Sequence, residues 1–133
     1  METEVAIVTK RVAEIAGNYR LKASLPEREA VVKIVTIFRE LRQGMTLDEK
    51  QKLKSPSGVI STAEAISLIT NSMALAASFG NGNITDKDLA AGLQGAVVKD
   101  DDKDNLVWKE YLENVMKKRG AEWRGLYNSC SEM

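Results

Sequence analysis

Asp100, Asp102 and Asp104 recur at every second position, the spacing at which the alternate carboxylates of a calcium loop converge on one ion. The rest of such a loop is missing. Its sixth position is Asn105 rather than the glycine of the sharp turn, and its twelfth is Tyr111 rather than a bidentate glutamate. An acidic start to a helix accounts for the same residues, because carboxylates favour the positive end of the helix dipole. Gly80-Asn81-Gly82-Asn83 has the glycines of a phosphate cradle. A cradle also needs a strand–loop–helix unit and a lysine that meets the phosphates, and no Gly-x-x-x-x-Gly-Lys-(Ser/Thr) run occurs in the chain. The four residues read as a turn between two helices. Glu110 and Glu113 share an exposed helix face with nothing to tune their protonation. Trp108 and Trp123 read as core anchors rather than stacking platforms. No catalytic residue and no metal ligand is expected in this chain.

Composition narrows the chemistry further. The 133 residues include no histidine, which removes imidazole acid–base catalysis, Ser–His–Asp triads and histidine metal sites. The single Cys130 forms no internal disulfide and suits a reducing compartment. Lys plus Arg and Asp plus Glu are both 19, so the formal net charge is zero, whereas nucleic-acid binders carry a basic excess or stripe. The longest basic run, Lys117-Lys118-Arg119, falls late in a helix, where cations complement the dipole. No apolar run approaches the ~20 residues that span a bilayer, and Met1-Glu2-Thr3-Glu4 lacks the basic start of a signal peptide. The expectation is a cytoplasmic chain with neither nucleic-acid nor membrane partners.

These residues must be carried by helices. Val5, Val8, Val12 and Ile15 step by three and four, predicting a helix over residues 2–16 with a stop at Gly17-Asn18. Ser24 and Glu27 match a capping box with Pro26 in the first turn. The helix that follows carries Val31, Val32, Ile34, Val35, Ile37, Phe38 and Leu41, an apolar surface wide enough for burial on more than one side, and Gly44 ends it. Residues 45–60 break the pattern. They read as a surface excursion, with a small β-hairpin around Asp48-Glu49-Lys50 as one form and a helix capped by Thr46 and Glu49 as another.

Ser61 and Glu64 make a further capping box, and the Ala-rich helix they open is apolar nearly all round, the mark of a central helix. Ile66, Ile69, Met73 and Ala77 form one face, and Ala65, Leu68, Ala76 and Phe79 a second. Thr85 caps a fourth helix, with Asp86 and Asp88 in its first turn and Leu89, Leu93 and Val97 inward. Residues 99–104 read as a solvated link. A fifth helix over residues 105–119 buries Val107, Trp108, Tyr111, Leu112, Val115 and Met116, and after Gly120 a short terminal helix offers Trp123, Leu126 and Tyr127. The fold expected is all-α: a compact bundle of about five helices plus a short C-terminal one, in a single domain over residues 1–133.

One run goes beyond periodicity. Lys54-Ser55-Pro56-Ser57-Gly58-Val59-Ile60-Ser61-Thr62-Ala63-Glu64-Ala65-Ile66 leads into the Ala-rich helix, which ends at the Gly/Asn turn and is followed by Ile84-Thr85-Asp86-Lys87-Asp88-Leu89. Together with Ile37-Phe38-Arg39-Glu40-Leu41-Arg42-Gln43-Gly44, this resembles the C-terminal helical lid of AAA+ ATPases in the MoxR-like group, over roughly residues 5–127. The resemblance implies a piece of a larger ATPase whose Walker A and Walker B strands and first sensor lie upstream of these residues. The chain alone would then hold no cofactor, and ATP and Mg would be bound by the parent protein. Its partners would be its own nucleotide-binding domain and neighbouring subunits of a ring.

In that group an arginine near the start of the long lid helix reaches the phosphates. The matching positions here are Ser61, Thr62, Ala63 and Glu64, and Ala63 supplies no charge. The resemblance therefore implies either another basic group in that role or a hydrolysis that leans on the neighbouring subunit. The competing reading is a stand-alone helical adaptor that binds a protein partner; the run from Phe38 to Glu64 favours the lid.

Overall fold

The computed structural model describes residues 1–18, 24–58 and 61–132, and of Asp101 only the backbone. Val59 and Ile60, within the quoted run, lie outside the described residues. Helix α1, Glu2–Asn18, turns Val5, Val8, Val12 and Ala16 inward. The stripe ends on Ala16 rather than Ile15, which is only half-buried. Helix α2, Arg28–Gln43, buries Val31, Ile34, Val35, Thr36, Ile37, Phe38, Glu40 and Leu41, half of its 16 residues. This helix, rather than the Ala-rich one, is the deepest.

The start of α2 corrects the capping box expected at Ser24. The N-cap is Glu27, without a side-chain cap, because the chain before Pro26 is held extended and the helix begins later. Ser24 is used elsewhere: its N–H donates to the Gly82 carbonyl at 2.8 Å and its hydroxyl to Asn83 Oδ1 at 2.8 Å. Gly44 ends α2 in the left-handed region at φ 71°, its N–H bonded to the Glu40 carbonyl.

The excursion forms neither a β-hairpin nor a helix among its described residues. A single antiparallel bridge joins Met45 to Lys52, and Glu49 turns the chain at φ 61°. Asp48 accepts from the Thr46 hydroxyl and the Lys50 N–H. Between Asp48 and Lys54 the one apolar residue is Leu53, too little to hold a two-stranded hairpin, which is marginal in water without an apolar face.

Helix α3, Thr62–Phe79, packs against α1, α2 and α4, the last being Asp86–Val97. It buries Ala65, Leu68, Ile69, Ser72, Met73 and Ala76. Phe79, expected on an inward face, is 87% exposed. Gly92 allows α3 and α4 to approach closely, since a Cβ there would lie 2.8 Å from Leu68 Cγ. Thr85 and Asp88 complete a reciprocal capping box at the start of α4.

The solvated link expected over residues 99–104 is instead the start of a helix. Asp100 caps α5, Asp101–Asn114, and Asp104 is fully buried. A 3₁₀ turn, Met116–Arg119, and Gly120 lead into α6, Ala121–Ser131, which closes on α4 and α5 through Leu126 and Cys130. All six helices feed one core, an all-α bundle with no β-strand among the described residues. None of the described helices is long and apolar enough to cross a membrane.

Candidate functional site

Ser61 sits in extended conformation before α3, and its hydroxyl accepts the Glu64 N–H at 3.2 Å. The reciprocal half of the capping box is absent, because the Glu64 carboxylate turns outward to Lys99 Nζ at 2.9 Å. Thr62 donates its hydroxyl to Glu4 Oε2 at 3.0 Å. Glu4, on α1, also pairs with Arg39 at 3.5 Å and Arg42 at 3.2 Å, both on α2. Ala63 stands exposed between these two clusters. The four residues thus gather three arms: the α1 carboxylate, the α2 arginines, and the lysine that follows α4. We expect Ser61→Ala to cost about 0.5–2 kcal/mol, the usual worth of such a cap; a urea melt of the variant reads this directly, and an unshifted midpoint would remove the cap from the account.

The approach to α3 is pinned from behind. Asp104 accepts four hydrogen bonds: the Ser57 N–H and hydroxyl, each at 2.7 Å, and the N–H groups of Lys99 at 3.0 Å and Asp100 at 2.8 Å. The Ser57 hydroxyl, working against burial, and then the N–H groups of Asp100, Ser57 and Lys99 hold this carboxyl well below the ordinary value of 3.8. A carboxyl lowered in the folded state stabilises the fold above its unfolded value, and that stability is lost as pH falls below it. Asp104→Asn should therefore be less stable at neutral pH and should lose stability less steeply than the parent below about pH 4. Melting temperatures across an acid series test this, and parallel curves would contradict it.

The other chemical candidates resolve into structure. Asp100 is a cap, Asp102 is exposed and Asp104 is saturated by donors. Among the described residues no group of three His, Cys, Asp or Glu side chains could hold a metal ion. Gly80-Asn81-Gly82-Asn83 joins α3 to α4, with Gly82 at φ 88°. Glu113 accepts the Tyr127 hydroxyl at 2.7 Å and Glu110 pairs with Lys54 at 3.8 Å. Trp108 is buried and stacked on Tyr111, ring centroids 5.7 Å apart, while Trp123 takes the Arg119 guanidinium over its ring at 4.9 Å. Cys130 is buried, and burial together with the Asp86 charge pushes its thiol up to about 12, so the reactive thiolate is suppressed.

Residues 2–133, nearly the whole chain, match the family model described as the YehL-like AAA+ ATPase C-terminal domain. The chain belongs to that family. No curated protein and no solved structure matches it significantly. The resemblance drawn over roughly residues 5–127 therefore holds as a C-terminal, helical domain of an AAA+ ATPase, and the family shown is YehL-like.

Sequence reasoning passed over three residues that organise the YehL-like domain, Glu4, Glu40 and Lys99, and took a fourth, Asp104, only as part of an acidic helix start. Each is charged, and at its own position in the sequence each looks like an ordinary solvated residue. The one local hint was Asp104, four residues after a capping aspartate, where an acidic side chain can reach back to the free N–H groups of the helix start.

Proposed function

We propose that this domain is the lid of its ATPase, in the manner of the MoxR-like group, gating the binding and hydrolysis of ATP at a site built in the nucleotide-binding domain. Residues 1–133 act as one unit that rocks against that domain and the neighbouring subunits of a ring. ATP and Mg belong to the nucleotide-binding domain, and the lid contributes closure, which excludes water and completes the site. Neither a nucleic acid nor a membrane enters this reading.

The observation that carries the proposal is the exposed start of α3. Ser61, Thr62, Ala63 and Glu64 are held rigidly by a cap, the Glu4 cluster and Lys99, yet Ala63 itself faces solvent. A groove of about 360 Å³ runs from Glu64 and Lys99 between α3 and α4 to Leu75 and Asp88. Charged side chains around an exposed, uncharged residue support a surface that closes on a charged site. The adaptor reading draws on a different feature, the exposed pair Leu75 and Phe79 at the far end of α3. In the lid reading that pair meets the neighbouring subunit.

Ala63→Arg in the full-length ATPase decides between them. A guanidinium at position 63 would stand where phosphate charge develops, so the steady-state ATPase rate should change while the melting temperature stays within about 2 °C of the parent. An unchanged rate at unchanged stability would remove α3 from the nucleotide and favour the adaptor.

A further inference from the structure

The single bridge between Met45 and Lys52 leaves one backbone edge open. We propose that residues 51–54 are a docking edge for an extended protein segment in which acidic and apolar residues alternate, added as a strand alongside Lys52 and Lys54.

The backbone sets the edge. The bridge is closed by the Thr46 N–H on the Gln51 carbonyl at 2.9 Å and the Leu53 N–H on the Gly44 carbonyl at 2.8 Å. In an antiparallel pair the residues between such bonds turn their own N–H and C=O to the opposite side. Lys52 therefore faces away from residues 44–46. Its N–H and C=O, and those of Lys54, bond to no group among the described residues. Free groups of this kind are a template for another strand, and a two-stranded pairing gains its stability from a third. The segment is also fixed before a partner arrives. The Ser55 hydroxyl donates to the Leu41 carbonyl at 2.7 Å, and the Leu47 N–H donates to Glu40 at 2.9 Å. Both anchors belong to α2, so little order has to be gained on binding.

The side chains choose the partner. A groove of about 250 Å³ runs between residues 51–54 and α5, lined in part by Leu41, Leu53, Val107 and Tyr111. Gln51 and Leu53 are half-buried, while Lys52 and Lys54 are exposed, the alternation of an extended chain. A strand laid beside them alternates in the same way, with one set of side chains over the groove and the other beside the lysines. Apolar residues suit the first set, and carboxylates suit the second, because opposite charges across two strands attract. Lys52 makes no ion pair with a described residue. Lys54 pairs with Glu110 at 3.8 Å, but the two side chains are 69% and 41% exposed, so water screens that pair and a further carboxylate can share the ammonium.

Fluorescence anisotropy with the full-length ATPase and a labelled peptide, Gly-Asp-Val-Asp-Val-Asp-Gly, tests the assignment. The peptide should bind, and the blocked isomer Gly-Val-Val-Asp-Asp-Asp-Gly should bind about tenfold more weakly, because its apolar and acidic residues no longer alternate. Methylating one alternate set of the peptide's backbone nitrogens should weaken binding about tenfold or more by removing the donors that face the edge. Methylating the other set should leave binding largely intact. Lys52→Glu should weaken binding about tenfold at an unchanged melting temperature, and Lys87→Glu, on α4 and outside the groove, should leave it as it is. If Lys52→Glu lowers the melting temperature, the methylated peptides still decide, since they leave the protein untouched. Equal binding of the two isomers, or equal effects of the two methylated sets, would mean that charge alone attracts the peptide, and that overturns the proposal. Absence of binding overturns it as well, because the edge is then closed in solution.

Discussion

Arg119→Ala should destabilise the domain by about 3–5 kcal/mol, the usual cost of stripping one partner from a buried ion pair. Glu40 lies in the middle of the bundle and is fully buried. Its two oxygens are satisfied by the Tyr111 hydroxyl at 2.7 Å, the Leu47 N–H at 2.9 Å and the Arg119 guanidinium. Burial, and then the Glu40 charge, raise Tyr111 well above its ordinary value. Arg119 is raised as well: burial opposes its charge, but the hydrogen bond to Glu40 and the Glu40 charge outweigh that. Removing the guanidinium leaves a carboxylate in the core with no counter-ion, and it frees the 3₁₀ turn that launches α6. Arg119→Lys should recover only part of the loss, since an ammonium cannot pair with Glu40, reach Tyr111 and lie over Trp123 together. A double variant with Glu40→Leu and Arg119→Met should regain only part of the stability, because it removes the unpaired charge but leaves the Tyr111 hydroxyl and the Leu47 N–H without their acceptor. Urea denaturation of the three variants is the measurement. An Arg119→Ala midpoint close to that of the parent would mean the pair is solvated in solution.

Ile69→Ala and Met73→Ala should each cost about 2–5 kcal/mol through lost burial and the cavity left behind. Both side chains are fully buried on the face of α3 that meets its neighbours. Glu49→Ala, in the exposed turn, should stay within roughly 0.5 kcal/mol of the parent. The spread within the first pair depends on how far the surrounding core relaxes, and thioether neighbours relax more readily than branched ones. Similar midpoints for all three variants would show that α3 does not line the core as described.

Much of the fold was legible because helix formation is decided within a turn or two. The stripe of Val5, Val8 and Val12, the caps at Ser61 and Thr85 and the stop at Gly44 are interactions between residues no more than four apart. The same locality marked Ser61 and Glu64 as a helix start, while the choice of Ser61, Thr62, Ala63 and Glu64 as a candidate site came from the resemblance. Where local rules competed, they misled. Ser24 and Glu27 satisfy the spacing of a capping box, but Pro26 holds the chain extended and Ser24 finds Asn83, 59 residues away.

The sequence by itself therefore determined most of the helices, most of the inward stripes and, through the run leading into α3, the kinship to AAA+ ATPases. Only the tertiary structure decided what the charged residues do. Glu40 and Arg119 are 79 positions apart, Ser57 and Asp104 are 47 apart, and Glu64 and Lys99 are 35 apart. An apolar side chain announces its burial by type, since leaving water is favourable wherever it packs. A charged side chain is buried only where partners repay its desolvation. Those partners are brought together by the folded chain, so no spacing in the sequence could name them.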